Sequence, residues 1–131
     1  MKILILIPVA LFALACALPA LHWSDNDTMF GLRALAVGWS GIFAGVFAWY
    51  ANFFWTLALV LILIKRPTPA LVAGLIAVAV AVTLFRDMNR ELPGDEGGVT
   101  KIAITQLLPG CYVWFASLAS VPLLAFLSRS K

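Results

Sequence analysis

Residues 34–64 read ALAVGWSGIFAGVFAWYANFFWTLALVLILI, thirty-one positions without one Asp, Glu, Lys or Arg. As a single helix this stretch would extend about 46 Å at 1.5 Å per residue, against a bilayer hydrocarbon core of about 30 Å. The run must therefore break or tilt, and its composition changes at Asn52. Before that point Ala34, Gly38, Gly41, Gly45, Ala48 and Asn52 recur at helical spacing and place small residues on one face. Such a face lets two helices approach closely, and Asn52 adds a side chain able to hydrogen-bond between them. After it come Phe53, Phe54 and Trp55 and then a purely aliphatic segment, the composition of a surface against lipid.

Three other stretches lack charge: residues 3–24, 67–85 and 102–128. The 131-residue chain is 63% hydrophobic and 11% charged, with a mean hydropathy of +1.03. Soluble domains average about 45–50% apolar and 25% charged. These values predict an all-α integral membrane protein, a single domain built as a bundle of four transmembrane helices, or five if the long run folds as a hairpin. In the four-span arrangement residues 31–45 form an extra helix at the outer leaflet and residues 46–64 the second span. Residues 99–108 lie along the interface, and the last span begins near Gly110, where Pro109-Gly110 divides the final run. The first run, residues 3–22, reads as an uncleaved span rather than a signal peptide or a lipidation site at Cys16, because its apolar length exceeds a signal core of about 7–15 residues.

Basic residues are retained on the cytoplasmic side in short loops, but here their count is nearly balanced and does not decide the orientation alone. Four spans with a cytoplasmic N-terminus put Lys2, Lys65, Arg66, Arg129 and Lys131 inside and Arg33, Arg86, Arg90 and Lys101 outside. The same arrangement gathers all six acids outside and brings Trp23, Trp39, Tyr112 and Trp114 to one interfacial belt. It predicts a multi-pass membrane protein with both termini cytoplasmic.

The net charge of +3 does not signal nucleic-acid binding, since the cations are scattered at run ends instead of clustered with aromatics. No catalytic nucleophile set, phosphate-cradling loop or metal motif is present, so catalytic, cofactor and metal residues are expected to be none. One histidine, His22, reads as an interfacial side chain, and Cys16 and Cys111 as apolar thiols or, at similar depth, a disulfide. No ionisable group is expected deep within a span, which argues against a transporter acting alone. The loop at residues 86–98 reads as a solvated turn or a docking surface. Trp39, Trp49, Tyr50, Tyr112 and Trp114 form a candidate aromatic cluster around Asn52 at the outer interface.

Gly38-Trp39, Ala48-Trp49-Tyr50-Ala51-Asn52, Asp95-Glu96-Gly97-Gly98 and Pro109-Gly110-Cys111-Tyr112-Val113-Trp114-Phe115-Ala116-Ser117 together resemble a group of small bacterial inner-membrane proteins that carry Trp-Tyr-Ala-Asn and Asp-Glu-Gly-Gly motifs. The resemblance implies that location and no activity. Members of the group often have proline after the asparagine, where this chain has Phe53. The sequence as a whole points to a non-enzymatic accessory or assembly subunit of an envelope complex, with the lipid bilayer and either a membrane-protein partner or a second copy as its contacts. The alternatives are an immunity protein against a toxin acting at the membrane or in the periplasm, and a lipid- or quinone-binding protein using the aromatic cluster.

Overall fold

Pro19 cuts the first apolar run short. Its ring has no N–H and disfavours helical conformation in the preceding residue; Leu18 accordingly is extended, at φ −102° and ψ 153°. Helix α1 (Leu6–Ala17) stops there, and the chain continues as strand β1 (Pro19–Trp23). The computed structural model describes residues 3–24, 28–37, 47–89, 92–93 and 101–129.

Strand β2 (Thr28–Phe30) and helix α2 (Gly31–Val37) follow. A 3-10 turn at Ala48–Tyr50 leads into α3 (Ala51–Leu63), and α4 (Pro67–Asp87) comes after a tight connection. Strands β3 (Leu92–Pro93), β4 (Lys101–Ile102) and β5 (Ile104–Leu107) precede α5 (Pro109–Arg129). β1 lies between β2 and β5 in a three-stranded antiparallel sheet, and β3 pairs with β4. In the sheet Leu21 stands opposite both Met29 and Leu107, and His22 opposite Thr28 and Gln106.

This architecture corrects the expected all-α bundle of four or five transmembrane helices. The fold is mixed α/β. Residues 19–23 leave the first helix for the sheet, and residues 104–107, within the stretch expected along the interface, form its edge strand. β5 buries Ile104 and Leu107 and exposes the two residues between them, a half-buried strand that the surrounding apolar composition disguises. Helix lengths correct the span count as well. At 1.5 Å per residue, the 12 residues of α1 reach about 18 Å and the stretch Ala48–Leu63 about 24 Å, both short of the bilayer core of about 30 Å. Among the described residues two helices, α4 and α5, are long and apolar enough to cross a membrane. That overturns the multi-pass inner-membrane topology with both termini cytoplasmic, which required at least four. The expected outer-leaflet helix corresponds to α2 over residues 31–37, and its remainder lies outside the described residues.

The proline placements explain why α4 and α5 do run their full length. Pro67 and Pro69 open α4, where the first turn's N–H groups have no intrahelical acceptor to lose, and Pro109 opens α5. Pro122 falls inside α5 and is buried where α5 crosses α4: a Cβ on Gly74 would come within 2.9 Å of Pro122 Cδ. α4 packs between α3 and α5, and α5 also packs on α1 and β1. The first turn of α5 approaches the start of β1 so closely that a Cβ on Gly110 would lie 2.8 Å from the carbonyl oxygens of Leu18 and Pro19. Ser117, fully buried, donates to the Pro8 carbonyl oxygen at 2.7 Å and ties α5 to α1.

Along most of α4 the buried residues are small and the exposed ones large, the opposite of a water-soluble helix. α4 buries Ala70, Ala73, Gly74, Ala77 and Ala81, with Leu84 and Asp87 at its end, and exposes Val72, Leu75, Ile76, Val82 and Phe85, each by 40–55%. Small interior residues let backbones approach, whereas large apolar residues on the outside gain nothing from water. Buried clusters are stacked along the bundle, from Ile5, Ile62 and Ala70 at one end, through Ala51, Ala77 and Leu118, to Leu84, Ile104 and Leu107 under the sheet.

Candidate interaction site

Asn52 sits in the first turn of α3, one residue beyond the fully buried Ala51. That register turns its side chain toward α5, and its Oδ1 accepts a hydrogen bond from Trp114 Nε1 at 2.9 Å. Three residues earlier Trp49 donates from Nε1 to the Leu35 carbonyl oxygen, also at 2.9 Å, and so fastens the 3-10 turn to α2. The two indoles thus hold the start of α3 from both sides. Indole N–H groups in partly buried positions need such acceptors.

The rings form two groups. Trp49 meets Tyr50 and Phe53 edge to face, with centroids 5.2 and 5.1 Å apart and planes at 86°, and Tyr50 stacks on Phe53 at 5.8 Å. On the other side Trp114 contacts Phe115 at 5.2 Å, and Phe115 stacks on Phe85 at 5.4 Å and 11°. Asn52 reaches the second group through its bond to Trp114. Of the expected aromatic cluster, the structure therefore places Trp49 with Tyr50, joins Trp114 to Asn52, and leaves Tyr112 55% exposed on α5; Trp39 lies outside the described residues. Phe53 and Phe85 belong to these groups although neither was counted in the expected cluster; the i, i+3 spacing of Tyr50 and Phe53 was the available signal for the first.

The small-residue set is divided in the same way. Ala34 is half-buried in α2, and Ala48 is 3% exposed in the cluster beneath the sheet. Gly38, Gly41 and Gly45 lie outside the described residues. Ala48 and Asn52 are engaged within their own chain.

Asp87 is the acid that the sequence reading missed. It closes α4 with no exposed surface, and the Arg86 Nε lies 3.6 Å from its Oδ1 while the Arg86 side chain stays 60% exposed. The next residues bind the helix end to the sheet, since Met88 bridges Ile104 and the Asn89 N–H donates to the Ile104 carbonyl oxygen at 2.8 Å. Asp87 reads as part of a loop because its neighbours are charged, whereas it lies buried in the last turn of α4, next to the residues that join β5. His22 pairs with Thr28 Oγ1 across β1 and β2 at 3.3 Å, and the two cysteines are free thiols. Among the described residues no group of three His, Cys, Asp or Glu side chains could hold a metal ion.

No protein-family model matches the chain, and no curated protein or solved structure matches it either.

Proposed function

We propose that the protein acts by contact with other protein chains, as a non-catalytic accessory or assembly subunit, with lipid acyl chains against its apolar helix surface. The packing of α4 carries this reading: up to Ala81 it buries only alanines and a glycine, with Leu84 and Asp87 buried at its end, while Leu, Ile, Val and Phe stand outside. An exposed apolar surface of that extent marks contact with lipid or with another protein. Among the described residues α4 and α5 are the helices long enough to be seated in a bilayer, and the sheet with its flanking aromatic groups is the part left to meet a partner.

Crosslinking in native membranes followed by mass spectrometry tests the first half of the proposal. A reproducible partner, or crosslinks between copies retained in a mild-detergent pull-down, is the expected result. Purification as a solitary chain with no crosslinks would overturn it. Washing the membranes at alkaline pH tests the second half, and release of the protein into the aqueous fraction would contradict lipid contact.

A further inference from the structure

The connection between α3 and α4 is built from residues that the fold by itself disfavours. Ile64 caps α3; the Lys65 N–H donates to the Ile62 carbonyl oxygen at 3.1 Å, and the Arg66 N–H to that of Leu61 at 2.8 Å. This pair of bonds is a Schellman cap, in which the residue at the Lys65 position takes the left-handed conformation and is usually glycine. Lys65 holds it at φ 63° despite the clash that a Cβ brings there. Arg66 then occupies the N-cap of α4, next to the positive end of the helix dipole, where an acid or a hydroxyl is preferred and a cation is opposed. Neither residue helps its local structure, so what the turn offers is two exposed cations. Strain kept at such a position points to function.

A third cation stands at the same end of the bundle. Ala125, one turn before Arg129, packs in the cluster that holds Ile62 and Ala70, and Arg129 ends α5, exposed. Among the described residues none of the three is paired with an acid. Asp87, the one acid described, is at the far end of α4, and the other five fall in sequence at positions 25–27 and 91–96. Beside the cations are exposed aliphatic residues, Ile3, Leu63, Ile64 and Leu127. Pro67 and Pro69 remove two N–H groups from the first turn of α4, so an anion here would be held by side chains and not by a backbone cradle.

We infer that Lys65, Arg66 and Arg129 bind the phosphate of an anionic lipid headgroup whose acyl chains lie along the adjoining aliphatic surface. A lipid matches both halves of this surface, whereas a soluble phosphate would use only the cations. The inference rests on the lipid contact proposed above. Its test offers the purified full chain, in neutral detergent, equal amounts of phosphatidylglycerol and phosphatidylcholine with the same acyl chains, and counts retained lipids by native mass spectrometry. Phosphatidylglycerol is expected to be preferred, and Lys65→Gly, Arg66→Gln and Arg129→Gln each to lower that preference about fivefold. Lys65→Gly and Arg66→Gln relieve local conflicts, so their loss of lipid cannot come from unfolding; a thermal melt on the same samples verifies this. Equal retention of both lipids, or a preference that survives in the triple variant, overturns the headgroup site and leaves the lipid contact standing. Retention of neither lipid overturns both.

Discussion

Asn52 and Trp114 come from positions 62 apart and share one hydrogen bond of 2.9 Å. Asn52→Leu would keep the side-chain volume and strand the indole N–H, an expected cost of about 1–3 kcal/mol, seen as a lower melting temperature in detergent. Asn52→Asp keeps an acceptor and is expected to cost less. In an Asn52→Leu, Trp114→Phe double variant the two losses should fall short of their sum, because the second change removes the donor that the first left unpaired. Lys65 presents the opposite case. Replacing it with glycine removes the left-handed strain at φ 63°, and the melt should move upward by the equivalent of about 1 kcal/mol. Asp87 and Arg86 are unequal partners. Arg86→Gln leaves a carboxylate buried with its nearby cation gone, whereas Asp87→Asn removes the buried charge itself. Arg86→Gln is therefore expected to destabilise more than Asp87→Asn, and the reverse order in paired melts would show that the carboxylate is held chiefly by other groups.

At the scale of elements the α4–α5 crossing is a close helix contact that a single atom can test. Gly74→Ala would place a Cβ 2.9 Å from Pro122 Cδ, and overpacking of this kind costs about 1–3 kcal/mol. Pro122→Ala should remove most of that penalty in the double variant, which separates the steric contact from any effect of alanine within the helix. α4 and α5 were legible in the sequence, since uninterrupted apolar runs opened by proline or Pro-Gly define them almost to the residue. The sheet was not, because its strands are short and drawn from equally apolar chain. β1 differs from a continuing helix only by Pro19, and β5 only by the pair Thr105-Gln106 between Ile104 and Leu107. Their pairing is long-range, joining His22 to Gln106, and no local pattern announces it. The site was half legible in the same sense: Asn52 and Trp114 were both singled out, and only the fold could show that they bond to each other, while Asp87 was hidden by the charged residues around it.

At the scale of the whole molecule, the distribution of side-chain size along α4 distinguishes two possible surroundings. In water, Leu75 at 55% exposure would be an idle surface residue and Ala77 at 1% a core position with little to lose. Under lipid contact Leu75 lies against acyl chains, and Ala77 sets how closely α4 approaches its neighbours. Ala77→Leu adds three carbons where the backbones meet and is expected to cost about 1–3 kcal/mol, whereas Leu75→Ala, at an outward position, should change stability by less than about 0.5 kcal/mol. Stability alone does not tell lipid from water at Leu75, so the decisive variant is Leu75→Lys. In water an exposed lysine at this position is harmless to the fold and improves solubility. In a bilayer a cation near the middle of a spanning helix costs about 2.5–3.5 kcal/mol, a deficit of roughly a hundredfold in membrane-retained protein. Leu75 is the ninth residue of the 21 in α4, too far from either end for the side chain to reach the interface without distortion. Loss of Leu75→Lys from the alkaline-washed membrane fraction, with Leu75→Ala retained, is the outcome expected if that face of α4 lies against lipid. Equal retention of both would place that face of α4 against protein or water.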